Sequence, residues 1–266
     1  MVLAERLAYY RKRRRKLVKR YGRRAMRRLN GFLAAQSLVP TEPILDARLF
    51  PWIGAFEKNW KTVRGELDRV LEHRESLPKF YEVNRDQKRI AGDDHWKTFV
   101  FIGFQFRSEI NCRLCPETWR LLQQVPRLET AFFSILAPGA HIPRHHGVPK
   151  GLIRCHLPLM VPRKRQDCVM WVNDVPQVWE EGKALVFDDT YPHEVRNATD
   201  ESRVVLLFDF ERPMRPFGRL AHRSVLAAMR RTAFVRDSLK AHRQWEEMFE
   251  QKLEDDEDDP GDSGPP

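Results

Sequence analysis

Residues 131–161 read AFFSILAPGAHIPRHHGVPKGLIRCHLPLMV, and residues 183–210 read KALVFDDTYPHEVRNATDESRVVLLFDF. Both join runs of Val, Ile, Leu and Phe to turns rich in Pro, Gly and Asp, the signature of short strands punctuated by tight connections. Within 152–159 the alternation sends Ile153, Cys155, Leu157 and Leu159 one way and Arg154 and His156 the other. Strands are expected at 130–136, 152–161, 168–173, 183–188 and 202–210. Turns at Pro138-Gly139, Asn173-Asp174 and Glu181-Gly182 separate them, and WKTFVFIGFQF (96–106) precedes them. Many short strands with few helices between them predict a mainly β fold, a sandwich or jelly roll whose pocket opens between its sheets.

Outward from this core the pattern changes. Trp52, Phe56, Trp60, Val63, Leu67 and Leu71 recur at helical spacing, so 52–75 reads as a helix with Trp60 as a core anchor. Residues 76–95 are polar and irregular and suit a loop over the site, and Pro116 starts a short helix over 116–126. The expected organisation is a basic helical arm (1–36), a helical lead-in and loop (37–95), the β domain (96–212), a helical segment (213–252) and an acidic, disordered tail (253–266).

The 266 residues carry a net charge of +10, but residues 1–28 alone hold 13 Lys and Arg against one acid. The rest is near neutral, so the basicity belongs to the arm, which is expected to lie on an anionic membrane surface. Phosphates of nucleic acid are the other anionic candidate; no base-reading motif accompanies the arm, and nucleic acid is not the expected partner. Four cysteines are too few for a disulfide scaffold, and Cys112-x-x-Cys115 lacks the second pair a zinc site needs. No run approaches the roughly 18 apolar residues of a membrane span, and RKRRRK interrupts any signal core. The expected location is the cytoplasm, with a peripheral hold on the cytoplasmic membrane through the arm.

Chemistry concentrates at histidines. His145 and His193 stand in turns beside strands, where an imidazole can be fixed for coordination of Fe, Zn, Cu or Ni. His146 is a rival ligand. His156 and Arg154 are polar groups on an apolar strand and need partners. Arg203 sits inside an apolar strand, where it either pairs with Asp209 on the same face or grips an anion.

These residues resemble the aspartyl/asparaginyl β-hydroxylase family of Fe(II)- and 2-oxoglutarate-dependent dioxygenases. The pattern PG-x-H-x-x-x-H-x-G, then R-x-H, stands as Pro138-Gly139, His141, His145, Gly147, Arg154 and His156. F-D-D-x-x-x-H-E-V stands as Phe187-Asp188-Asp189 and His193-Glu194-Val195, with Arg203 ten residues on. The likeness covers about residues 96–212. It implies a double-stranded β-helix core, of the jelly-roll or cupin kind, flanked by N- and C-terminal helices. It also implies His145 and His193 as catalytic iron ligands, Ser134, His156 and Arg203 as binders of 2-oxoglutarate, and Arg154 toward substrate. Gly147 stands where the wider class has its third, carboxylate ligand; a water would take that place, held by Asp189 unless Asp189 only caps a turn. O2 and 2-oxoglutarate would be consumed in hydroxylating an unactivated C–H.

Within the family, N-W-x-x-V-R (59–64), H-W-K-T-F (95–99) and C-x-L-C-P-x-T (112–118) resemble the bacterial lipid A hydroxylase branch. The expected substrate is therefore an acyl chain of lipid A or a related lipid. Asp or Asn side chains of a peptide are the alternative, and a jelly-roll binding module without turnover is the third reading.

Overall fold

The computed structural model describes residues 22, 24–83, 95–103, 106–147, 149–231 and 243–251. Most of the basic arm, most of the 76–95 loop and the acidic tail lie outside the described residues. Two antiparallel sheets make up the core. The larger has the order β1-β9-β6-β11-β4-β2-β3, the smaller β5-β10-β7-β8. Their strands are β1 (Ile44–Leu45), β2 (Trp96–Gly103), β3 (Phe106–Arg107), β4 (Leu128–Leu136), β5 (His141–His145), β6 (Leu152–Met160), β7 (Cys168–Val172), β8 (Val175–Val178), β9 (Leu185–Phe187), β10 (His193–Asn197) and β11 (Arg203–Glu211). From β4 onward the chain passes back and forth between the sheets: β4, β6, β9 and β11 lie in the large sheet, β5, β7, β8 and β10 in the small one. That winding is a double-stranded β-helix, the fold the sequence predicts.

The alternation along β6 sorts two cores. Ile153, Cys155, Leu157 and Leu159 face outward from the sandwich with Phe133, Phe208 and Phe210. Helices α2 (Ile53–Lys58), α3 (Trp60–Glu72), α6 (Pro116–Leu122) and α8 (243–251) cover that face through Phe56, Leu67, Leu121 and Phe249. Phe56 stacks on Phe208 with ring centres 4.9 Å apart. Between the sheets, Ile142, Met170, Val172 and Val195 meet Trp96, Phe187, Val205 and Leu207. The helix expected over 52–75 breaks at Asn59, whose side-chain amide donates to the Ala55 carbonyl at 2.8 Å and ends the first segment. A further helix, α5 (Glu109–Leu114), precedes α6, begun by the Ser108 hydroxyl accepting from Asn111 N–H. Asn173 and Asp174, both at positive φ, make the two-residue hairpin between β7 and β8. Short α4 (Phe80–Val83) leads toward β2, and α1 (24–35) and α7 (Pro216–Arg230) flank the other end. No helix among the described residues is long and apolar enough to cross a membrane. All four cysteines are free and buried, and burial pushes the Cys112 thiol up to about 12 and Cys115 higher.

His222 of α7 lies wholly buried, its ring where a Cβ on Gly151 would stand, with neither nitrogen hydrogen-bonded. Burial, then the charge of Arg230, lowers its pKa to about 4. The denatured imidazole titrates near ~6.5. Between those values the denatured chain takes a proton that the fold refuses, so stability falls as pH falls. In urea titrations, His222→Leu should lose less stability than the wild type between pH 6.5 and 4, by about 3 kcal/mol. Equal acid limbs would contradict the assignment.

Candidate functional site

His145 ends β5 and His193 begins β10, and the antiparallel register sets them directly opposite each other. Both were expected on turns; both are strand residues. β5 is the outer strand of the small sheet and carries Pro143, which only an edge or a bulge admits. One extra residue on β5 bulges out beside the pair, between the His193–His145 and Val195–Ile142 matches. The ring centres lie 4.1 Å apart. Two imidazoles on adjacent positions of one metal, with bonds of ~2.1 Å, have ring centres roughly 4.5 Å apart.

Each ring is also held in one tautomer. His145 Nδ1 lies 2.8 Å from the Pro143 carbonyl and His193 Nδ1 lies 2.9 Å from the Tyr191 carbonyl. A carbonyl only accepts, so each Nδ1 carries the proton and each Nε2 keeps its lone pair. Burial lowers the pKa of His145 to about 4 and, with the neighbouring His145 adding to it, that of His193 to about 3. Both are neutral at pH 7, as metal ligation requires. His146 is exposed, its Nδ1 3.5 Å from the Gly147 carbonyl, and His141 pairs with Glu194 at 2.8 Å.

Beside the pair is a polar floor. Arg203 is 2% exposed, and no carboxylate among the described residues pairs with it. Its Nη1 lies 3.4 Å from both the Ser134 carbonyl and the Ser134 hydroxyl, its Nε has no partner, and its guanidinium carbon sits 4.7 Å from the Trp179 ring centre. Burial lowers its pKa to about 10, so it stays charged. His156 is buried with both nitrogens unpartnered and its pKa well below the ordinary value, from burial and then the charge of Arg203. Trp179 Nε1 and Thr98 Oγ1 are buried and unpartnered too. Ser134 Oγ accepts from Trp96 Nε1 at 3.0 Å. Trp96 and Thr98 stand in the H-W-K-T-F stretch without a site role assigned there, and Trp179 is not singled out from sequence; only their unpaired or inward-turned polar atoms mark them.

The ion pair between Arg203 and Asp209 does not form. Arg154 takes Asp209 with two nitrogens, at 2.7 and 2.9 Å, and Thr130 Oγ1 donates to it at 2.6 Å. Arg154 also lies 3.4 Å from Asp189 and keeps 22% of its side chain exposed. Burial opposes its charge, but Asp209 and Asp189 outweigh that and hold its pKa above the ordinary arginine value. Of the two adjacent acids, Asp188 is structural: fully buried, it pairs with Arg212 and with Lys150 at 2.9 Å, and accepts from Thr190. Asp189 turns toward Gly147. Its carbonyl accepts Gly147 N–H at 2.7 Å, and its carboxylate oxygen lies 2.0 Å from where a Cβ on Gly147 would be. The Asp189 carboxylate thus occupies the space that a side chain at position 147 would need. Burial raises the Asp189 pKa to about 6, with Arg154 pulling against it. Among the described residues no three His, Cys, Asp or Glu side chains converge as a closed metal site. The donors available to an ion are the two Nε2 atoms.

A family profile described as aspartyl/asparaginyl beta-hydroxylase matches residues 57–213. The chain belongs to the aspartyl/asparaginyl β-hydroxylase family. It is therefore a hydroxylase, as the motif predicts. A relative of this hydroxylase, the ornithine lipid ester-linked acyl 2-hydroxylase of Rhizobium tropici, is 41% identical over 207 residues, 78% of this chain and 74% of that one. The human aspartyl/asparaginyl beta-hydroxylase is 30% identical over 60% of this chain, which spans 21% of the human protein's length. Mouse aspartate beta-hydroxylase domain-containing protein 2 is 33% identical over 59% of this chain and 47% of its own. Among solved structures, a Pseudomonas putida prolyl-4-hydroxylase superposes with a TM-score of 0.39 and 19% identity over 57% of this chain and 87% of that one.

A side chain at position 147 collides with Asp189, and that collision is testable without any cofactor. Gly147→Ala should destabilise by about 1–3 kcal/mol in chemical denaturation. In an Asp189→Gly background the same change should cost close to nothing. Equal costs in both backgrounds would show that Asp189 does not occupy the space.

Proposed function

We propose that this hydroxylase uses Fe(II) and 2-oxoglutarate, with His145 and His193 as the metal ligands, to hydroxylate an acyl chain of a membrane lipid. The observation that carries this reading is the buried guanidinium of Arg203, paired with no acid among the described residues and lying beside two imidazoles that keep their Nε2 lone pairs. A charge sealed from water with no counterion is costly unless a ligand brings one. When bound, iron together with 2-oxoglutarate and O2 supplies the oxidising power for the C–H bond.

The chain's own residues do the positioning. The Arg203 fork matches a carboxylate, and Trp179 stacked over it keeps water from its face. The Ser134 hydroxyl already accepts from Trp96 and Arg203, so its proton is left to donate to the same anion. Neutral His156 has an N–H to offer in the same cavity. Asp189, with a pKa near neutrality, would hold a water beside the pair and share a proton with it. Arg154, already paired with Asp209 and lying near Asp189, stands on the substrate side with part of its surface in solvent.

The acyl substrate is supported by the 41% identity to an ornithine lipid hydroxylase across three quarters of both chains. That likeness moves the preferred headgroup from lipid A toward an aminolipid, and the carbon toward C2 of an ester-linked chain. A cytoplasmic location with a peripheral hold on the membrane suits such a substrate.

Anaerobic Fe(II) titration with 2-oxoglutarate should produce a weak visible charge-transfer band. His145→Ala or His193→Ala should abolish it, and Arg203→Leu should keep iron binding while weakening 2-oxoglutarate at least ~tenfold. Absence of the band and of succinate from the wild type would leave only a binding module. Mass spectrometry of lipids and proteome from cells with and without the gene identifies the substrate. One added oxygen on an acyl chain is expected; one on Asp or Asn of a protein instead would overturn the lipid reading.

A further inference from the structure

Helices α1 and α7 meet beside Lys150 and Gly151, in the lead-in to β6. Arg215 N–H donates to the Gln36 carbonyl at 2.9 Å, and a Cβ on Gly218 would stand 2.5 Å from Gln36 Cβ, so the end of one helix rests on the start of the other. Both then lean on the segment that follows Gly147. Asn30 Oδ1 accepts Lys150 N–H at 3.1 Å, and the His222 ring covers Gly151.

Around this contact stand large apolar side chains that folding leaves in water: Phe32 is 43% exposed, Phe217 76% and Leu220 66%. Single exposed hydrophobes are ordinary, but three within one helical turn of a shared contact make a patch. Arginines frame it: Arg24, Arg27 and Arg28 on α1, and Arg215 and Arg219 at the start of α7 are exposed, and none of them forms an ion pair with a described residue. Residues 24–36 and 215–231 contain no Asp or Glu. Nucleic acid would satisfy the cations and leave Phe217 and Leu220 wet. A lipid interface takes both, phosphates to the guanidiniums and acyl chains to the rings.

We propose that the paired α1–α7 face docks on an anionic lipid bilayer and sets the site mouth against it. This rests on the lipid-substrate reading and adds α7 as half of the docking surface. Two weak signals, apolar and cationic, are what a reversible peripheral hold requires.

Co-sedimentation of the full chain with vesicles of phosphatidylcholine alone, or with one part in three phosphatidylglycerol, tests it. Retention is expected only with phosphatidylglycerol, falling as salt rises. Phe217→Ser with Leu220→Ser, and separately Arg215→Glu with Arg219→Glu, should each weaken it about tenfold. Both variants should keep the iron and 2-oxoglutarate band, since neither touches the site. Unchanged retention of either variant, or no retention of the wild type, overturns the proposal. So does retention that appears only after residues 253–266 are removed, which would show the face occupied by the chain's own acidic end. Loss of the band with retention intact would instead strike the iron reading and leave the docking face standing.

Discussion

A guanidinium at 2% exposure, paired with no carboxylate among the described residues, sets the terms for the rest of this molecule. Burying an unpaired charge costs several kcal/mol even after the protein relaxes, and the fold offers Arg203 only partial relief. It receives one ring face and two long contacts to Ser134, while Nε goes unmet. Of the acids on its own strand face, the nearer in sequence, Asp209, is withheld by Arg154 and Thr130. The neighbouring His156, Trp179 and Thr98 also turn unpaired polar atoms inward. A purely structural core would shed such groups. Together they are polar groups that an anion would satisfy.

The sheets set two histidines beside these groups by register. Residues 48 apart in sequence become a cross-strand pair because β5 and β10 run antiparallel with a single bulge beside them. Backbone carbonyls two residues upstream of each histidine, near a proline in both cases, settle the tautomer without any side-chain partner. The loop between β9 and β10 divides its labour between two adjacent acids. Asp188 is spent on Arg212 and Lys150, which tie the segment before β1 and the lead-in to β6 together, and Arg212 also donates to the Pro40 carbonyl. With that residue locked, Asp189 projects over Gly147, and glycine is required there because the carboxylate fills the Cβ position.

The long strands of the large sheet were legible because one of their faces is uniformly apolar: in β6 the sorting of Ile153, Cys155, Leu157 and Leu159 from Arg154 and His156 is visible in the letters alone, whereas two-residue β1 lies inside the expected lead-in. The small-sheet strands β5 and β10 were not. HIPRH and HEVRN place charged residues on a solvent face and begin or break with proline, so they read as turns. The split at Asn59 was hidden because apolar spacing continues across it, and α5 was hidden by the cysteine pair that dominates its sequence. The candidate site residues are nominated by resemblance through spaced motif letters. What letters could not separate was the role of Asp188 from that of Asp189, or the partner of Arg154 from that of Arg203, since each choice is made by neighbours across the sheet.

The most direct measurement compares two keto acids on the Mn(II)-loaded chain by calorimetry: 2-oxoglutarate, and 2-oxobutyrate, which keeps the keto-acid end but lacks the distal carboxylate. If Arg203 holds its charge for that carboxylate, 2-oxoglutarate should bind at least ~100-fold more tightly, and Arg203→Leu should erase the difference. Equal affinities in the wild type would contradict the account.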